Sequence, residues 1–254
     1  MNKHIMLIAG GSDPAGSEID GTCDSVYNRQ HSFGNLLARK LYYEPVNIAV
    51  AGSANGGIVR SVLDWFNNNY DPGDDVFVLV GWADGIRMEV PFYQKTAYKE
   101  EWDNHVDWYS YTHDDYIRIN VSYKGNGKRE QEFIENYHRF MVDNKLYLEI
   151  QSANYIMQLQ YFLKMKQVKY LFVNTLYMFT HDHSTLNWYK QQIDSKRFLN
   201  FEDNEESFYF KYQNLGYKNP KAEFFHHGEE PHRLYSEHLY QYILDNNLHV
   251  TYKD

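Results

Sequence analysis

The feature that most constrains this chain is a short apolar run that ends at two glycines and a serine. Residues Ile5–Ala9 are all apolar, and Gly10, Gly11 and Ser12 follow them directly. An apolar run of this length that stops at glycines is typical of a buried strand ending in a tight turn. Ligands of open α/β sheets bind beyond the carboxyl ends of the strands, so Ser12 occupies a position suited to a nucleophile.

The same pattern recurs twice in the next 70 residues. The run Val46–Val50, apolar apart from Asn47, ends close to Gly52, and the run Val76–Val80 ends at Gly81. Apolar residues at helical spacing lie between the three runs. Strands that alternate with helices predict right-handed crossovers and a mainly parallel sheet in an α/β fold.

The rest of the chain continues this organisation. Helical spacing over residues 129–166 precedes a fourth strand at Tyr170–Asn174, and a C-terminal helix contains Leu234 and Ile243. Residues 85–125 are irregular and rich in aromatic side chains, which favours an insertion or lid at the sheet edge. We expect one domain over residues 1–254.

Composition excludes several classes of function. A net charge of −9 without a basic stripe disfavours nucleic-acid binding, and the single cysteine, Cys23, rules out an internal disulfide framework. No segment approaches the roughly 20 apolar residues of a membrane span. The N-terminus lacks a signal-peptide pattern, so we expect a cytoplasmic protein or one assembled from the cytoplasm into a larger particle. The 24 tyrosines suit interfaces or sugar-stacking surfaces, although a compositional bias is the simpler explanation.

The candidate chemistry comes from the two ends of the chain. Glu223 stands three residues before His226, a spacing that lets a carboxylate and an imidazole face one cleft. A serine nucleophile needs such a base, and the base needs an acid to hold its tautomer. Backbone N–H groups at the glycine turns can bind an oxyanion. Together these residues indicate acyl-transfer chemistry.

In this order the motifs resemble the four conserved blocks of the SGNH, or GDSL-like, hydrolases. The first block resembles Gly10–Ser12, the second Asn47–Asn55, the third Gly81–Asp84 and the last Glu223–His226. The resemblance implies a flavodoxin-like, three-layer α/β/α sandwich with a central, mainly parallel sheet. A divergent, phage-type set of the family is the most similar, since Arg87 follows the third block as it does there.

The resemblance also implies a set of site residues. Ser12 would be the nucleophile, His226 the base and Glu223 its acid. The oxyanion and substrate-binding residues would be Gly52, Asn55, Gly81, Trp82, Asp84 and Arg87.

Two positions depart from the family pattern. Gly11 replaces an aspartate, and Ala83 replaces the asparagine that normally donates to the oxyanion. Asn55 or the indole N–H of Trp82 could take over that donation.

Two functions of different class follow. The first is a serine esterase that acts without a cofactor on an ester or O-acetyl group, for example of a carbohydrate. The alternative is a catalytically weak or inactive SGNH-like binding or structural module, for example a virion component. The expected partner is a small-molecule or glycan ester, with no nucleic acid or membrane, and a homo-oligomer or viral assembly stays open. The histidine clusters at 181–183 and 226–232 lack metal-site spacing, so no metal is expected.

Overall fold

A computed structural model describes residues 2–91, 116–119, 128–223 and 225–249. Its centre is a five-stranded sheet in the order β2-β1-β3-β6-β7, and every pairing in it is parallel. The strands are β1 (His4–Gly10), β2 (Glu44–Asn47), β3 (Asp75–Trp82), β6 (Lys169–Asn174) and β7 (Phe198–Leu199). A separate antiparallel pair joins β4 (Met88–Pro91) to β5 (Tyr116–Ile119).

Helices connect and cover these strands. They are α1 (Ser12–Ala15), α2 (Val26–His31), α3 (Phe33–Lys40), α4 (Asn55–Asn69), α5 (Lys128–Met141), α6 (Lys145–Met165), α7 (Ser184–Gln192), α8 (Phe208–Asn214) and α9 (Glu229–Asp245). A 3-10 turn, Val142–Asn144, separates α5 from α6. Among the described ranges no helix has the length and apolarity needed to cross a membrane.

The sheet is buried on both faces because its strands alternate between two cores. Leu7 and Val78 pack on one face with side chains of α4 and α6. Their neighbours Met6 and Leu79 pack on the other face with side chains of α3 and α9. Successive side chains of a strand point to opposite faces, so the apolar runs seen in the sequence fill both cores at once. The prediction of a three-layer α/β/α fold with a parallel sheet is confirmed.

Several element boundaries differ from the sequence prediction. The second strand begins earlier than Val46 and ends at Asn47, because β2 lies at the sheet edge and pairs only with β1. The two-residue strand β7 was not predicted, since so short a strand has no periodicity to detect. Of the irregular segment 85–125, residues 92–115 and 120–125 lie outside the described residues, so the lid stays a prediction.

The strand order places a crevice at the end of β1. The chain leaves β1 for β2 on one side, while β3 pairs with its other side. Ligands of doubly wound sheets bind where the strand order reverses in this way. Gly10 and Gly81 face each other across that point, and the ring of Pro14 packs where their side chains would stand. The two glycines therefore let α1 sit directly on the strand ends, with Ser12 as its first residue.

We predict that Gly81→Ala destabilises the fold and displaces α1. The added Cβ would overlap Pro14 Cγ and lie 2.9 Å from Thr175 Cγ2. Overpacking of this kind typically costs about 1–3 kcal/mol. Urea denaturation should show this loss of free energy of unfolding, whereas Gly73→Ala, whose Cβ would have no neighbour closer than 3.4 Å, should unfold like the wild type. Equal stability of the two variants would contradict the close packing of Pro14 on Gly81.

Candidate active site

The centre of the candidate site is a hydrogen bond between His226 and a glutamate near the N-terminus. His226 Nδ1 lies 2.6 Å from Glu18 Oε2. The Glu18 side chain is 3% exposed and that of His226 is 12% exposed, so water competes little for the bond. A carboxylate only accepts, which places the imidazole proton on Nδ1. In the neutral ring Nε2 then carries the lone pair of a base, and it has no hydrogen-bond partner among the described residues.

Glu18 is held in place by its backbone as well as by its side chain. Its φ of 63° lies in the left-handed region, which is uncommon for a residue with a side chain. The strain is compensated by Glu18 N–H donating to Thr22 O at 2.8 Å and by Asn219 Nδ2 donating to Glu18 O at 2.6 Å. Strained residues held in this way cluster at functional sites.

The acid predicted from the sequence does not pair with His226. Glu223 is exposed, and no hydrogen bond joins its carboxylate to His226 in the part of the chain that the structure describes. Instead the backbone N–H of Glu223 donates to Glu18 Oε1 at 3.0 Å. The expected Glu223–His226 pair is therefore corrected to Glu18–His226, with Glu223 contributing its main chain.

Ser12 makes no hydrogen bond with this pair in the part of the chain that the structure describes. It is buried at the start of α1, six residues before Glu18, and Ser17 N–H donates to its carbonyl at 2.9 Å. No hydrogen bond joins Ser12 Oγ to His226 among the described residues. Catalytic hydrogen bonds in ligand-free sites are often long and shorten when substrate is bound.

Asn55, one expected replacement for the missing asparagine, has another task. Its Oδ1 accepts from Ala83 N–H at 3.0 Å, and its Nδ2 donates to Ala83 O at 3.2 Å and to Ser152 Oγ at 3.0 Å. Every polar atom of the amide is thus engaged within the protein. The Asn55 side chain therefore stabilises the end of β3, and its amide has no free N–H to donate to a substrate.

Trp82, the other expected replacement, belongs to the core. Its side chain is fully buried and packs edge-on against Phe172 at 5.3 Å between ring centroids. Its indole Nε1 has no hydrogen-bond partner among the residues described. Because it points to the same face of β3 as Val80 and Val78, it lies under the sheet with α4 and α6.

Asp84 and Arg87 form a tight turn after β3. Asp84 Oδ1 accepts from Ile86 N–H at 3.0 Å, and Arg87 N–H donates to Asp84 O at 3.2 Å. Burial raises the pKa of the Asp84 carboxyl and lowers that of the Arg87 guanidinium. The turn directs Arg87 toward Gly11, the residue before Ser12.

Gly52 and its neighbours complete the rim of the crevice. Gly52 has a φ of 80°, which favours glycine at this turn. Its N–H has no hydrogen-bond partner among the described residues. The next residue, Ser53, places its carbonyl 4.0 Å from the position that a Cβ of Gly11 would take. The turn after β2 therefore lies against the segment that carries Ser12.

Asp13 is a buried carboxyl that the sequence analysis did not include in the site. Burial raises its pKa, while the positive charges of His226, His227 and Arg87 act in the opposite direction. Its position directly after Ser12 was the available signal. Asp13 places an ionisable group among the catalytic candidates.

A cleft of about 210 Å³ opens beside His226. Aromatic rings form much of its wall. The ring centroid of Phe225 lies 5.4 Å from that of Tyr209 and 5.1 Å from that of His226. His227 Nε2 donates to Tyr209 O at 2.9 Å, which fixes the wall to the loop that carries the base. Tyr217, Lys218 and Asn219 also line the cleft. No group of three or more metal-ligating side chains occurs in the described part of the chain.

Comparison with known proteins identifies the family. The sequence model of a family of unknown function, DUF6071, matches residues 17–251. The chain belongs to the DUF6071 family. The match includes Glu18, Arg87 and His226 of this DUF6071 protein and begins after Ser12. No curated protein matches the sequence.

Solved structures similar to this DUF6071 protein include esterases. The psychrotrophic esterase EstA from a Pseudoalteromonas species has a TM-score of 0.45 and 11% identity, over 96% of this chain and 98% of that one. The acetyl xylan esterase Est2A from Butyrivibrio proteoclasticus has a TM-score of 0.45 and 11% identity, over 98% and 66%. A lipolytic G-D-S-L family protein from Veillonella parvula has a TM-score of 0.41 and 10% identity, over 95% and 97%.

We predict that Asp13→Asn stabilises the protein increasingly as pH rises. A raised native pKa means that the folded protein binds this proton more tightly than the unfolded chain, whose Asp13 titrates near 3.8. Unfolding then releases a proton between the two pKa values, so wild-type stability falls as pH rises through that window. An asparagine at position 13 stays neutral, so the variant does not lose free energy of unfolding as the pH rises through this window.

Urea denaturation at about pH 4 and about pH 7 tests the prediction. The difference in free energy of unfolding between Asp13→Asn and wild type should be larger at the higher pH. Asp245→Asn, at an exposed position, should give the same difference at both. A larger advantage of Asp13→Asn at the lower pH would reverse the sign and contradict a raised pKa.

Proposed function

We propose that the protein is a serine-dependent hydrolase of carboxylic esters. The observation that carries the proposal is the 2.6 Å bond between Glu18 and His226. It orients an imidazole whose Nε2 has no hydrogen-bond partner among the described residues, and the charge of this histidine acts on Asp13, the residue next to Ser12. A serine, a histidine base and a buried acid that holds the base in one tautomer are the components of acyl-transfer catalysis.

Ser12 Oγ attacks the ester carbonyl carbon while His226 Nε2 takes the hydroxyl proton. Glu18 stabilises the imidazolium that forms, since its carboxylate accepts from Nδ1–H. The backbone N–H groups of Ser12 and Gly52 bind the oxyanion of the tetrahedral intermediate. His226 then returns the proton to the leaving alcohol, and the acyl group stays on Ser12. Water, activated by the same histidine, releases the acid.

The cleft supports an alcohol group with a flat apolar face. Phe225 is 48% exposed beside His226, and Tyr209 continues the aromatic wall. Sugar rings stack on such surfaces through their C–H faces, so an O-acetylated carbohydrate is a suitable substrate class. A small acyl group would face Ser12, with the sugar along the aromatic wall.

The decisive test is labelling with a fluorophosphonate together with hydrolysis of 4-nitrophenyl acetate. Wild-type protein should form an adduct on Ser12, detected by mass spectrometry, and Ser12→Ala should abolish both labelling and turnover. Ser17→Ala is the matched control, because Ser17 is buried in the same segment and its Oγ has no hydrogen-bond partner among the described residues. Neither labelling nor Ser12-dependent turnover in the wild type would refute the proposed function.

A second prediction separates the two glutamates. Glu18→Gln should lower kcat by about 10⁴, the size of effect seen when such an acid becomes an amide, because the amide N–H favours the wrong tautomer of His226. Glu223→Gln should change kcat by less than about twofold, since exposed substitutions away from reacting groups have small effects. The opposite ranking in steady-state kinetics would return the role of acid to Glu223.

A further inference from the structure

Two small residues leave a space beside Ser12. Gly11 has no side chain, and Ala83 ends at its methyl group, 3.8 Å from the position that a Cβ of Gly11 would take. Arg87 Nη1 lies 3.6 Å from that same position. The guanidinium thus lies within van der Waals distance of the position that a side chain at residue 11 would begin from, and the methyl group of Ala83 lies at a similar distance from it.

Among the residues that the structure describes, the Arg87 guanidinium has no hydrogen-bond or ion-pair partner. Asp84 and Asp13 act on it electrostatically, but among the described residues neither forms an ion pair with it within 4.0 Å, and no hydrogen bond to the guanidinium occurs. It is partly buried, and the burial is sufficient to lower its pKa. Donors withdrawn from water without an acceptor are costly, so such a group is expected to meet an anion during function.

Hydrogen bonds hold the backbone that leads to Arg87. The Asn55 side chain hydrogen-bonds to both the N–H and the carbonyl of Ala83. Gly85 N–H donates to Tyr177 O at 3.1 Å, and Gly85 O accepts from Ser152 Oγ at 3.1 Å. The base of the Arg87 side chain is thus positioned before the reaction, and donors positioned in advance need less reorganisation when charge develops in an oxyanion site.

We propose that Arg87 is a catalytic residue whose guanidinium donates to the oxyanion formed when Ser12 attacks the ester. The inference rests on the proposed ester hydrolysis. Arg87 acts together with the N–H groups of Ser12 and Gly52 and supplies the third donor that Ala83 lacks. A charged donor forms a shorter and stronger hydrogen bond to an anion than a neutral amide does.

The test compares Arg87→Met with Arg87→Met/Ala83→Asn in the hydrolysis of the neutral substrate 4-nitrophenyl acetate. Arg87→Met should lower kcat by about 100–1,000-fold with KM almost unchanged, because the interaction exists only in the transition state. The double variant should have a kcat at least about tenfold higher than that of Arg87→Met. The amide of the asparagine at 83 would reach into the space that methionine leaves partly open and would replace a lost donor. Arg233→Met, at an exposed position, is the control and should behave like wild type.

The outcomes separate this inference from the proposed function. Ser12-dependent turnover that survives Arg87→Met unchanged refutes the role of Arg87 and leaves the hydrolase intact. A raised KM at constant kcat also refutes it, because Arg87 would then bind substrate in the ground state. If Arg87→Met does not fold, Arg87→Lys tests the same role: a charged donor on a shorter group should lower kcat without raising KM. Absence of Ser12-dependent turnover in the wild type overturns both proposals.

Discussion

Gly10 and Gly81 have no side chains, and the position of the whole candidate site depends on that fact. The two residues pair across β1 and β3, and Pro14 packs into the room that they leave. The short helix α1 can therefore rest on the ends of the strands. Any Cβ at either position would lift α1 and move Ser12, Asp13 and the loop that follows.

The loop after α1 then joins the two ends of the chain. Glu18 bonds to His226 across 208 residues, and Asn219 bonds to the carbonyl of Glu18 across 201. A further link is Phe33 N–H, which donates to His232 Nδ1 at 3.2 Å. Burial lowers the pKa of His232 to about 3, so this histidine stays neutral and can accept. The loop that carries His226 is thus held on one side by the core, through His232, and on the other side by Glu18.

The local signals in the sequence predicted the elements well and the site only in part. Apolar runs ending at glycines identified β1 and β3, because strand burial and turn geometry are properties of neighbouring residues. The acid was placed at Glu223 because three-residue spacing was the only visible link to His226. Glu18 has no such spacing, and its left-handed backbone is imposed by contacts with Thr22 and Asn219. Asn55 was expected to donate to an oxyanion, yet both faces of its amide are used on Ala83 and Ser152.

The sequence by itself determined the parallel sheet and the place of Ser12 at a strand end. These follow from periodicity and glycine positions, which act over a few residues. Only the tertiary structure decided that Glu18 holds His226, that Asn55 braces Ala83 and that Arg87 enters the space beside Gly11. These relations join segments that are distant in the chain, and which side chains meet there depends on how helices and loops pack on the sheet. Gly11, one of the two departures from the family pattern in the sequence, lies in three dimensions next to the guanidinium of Arg87.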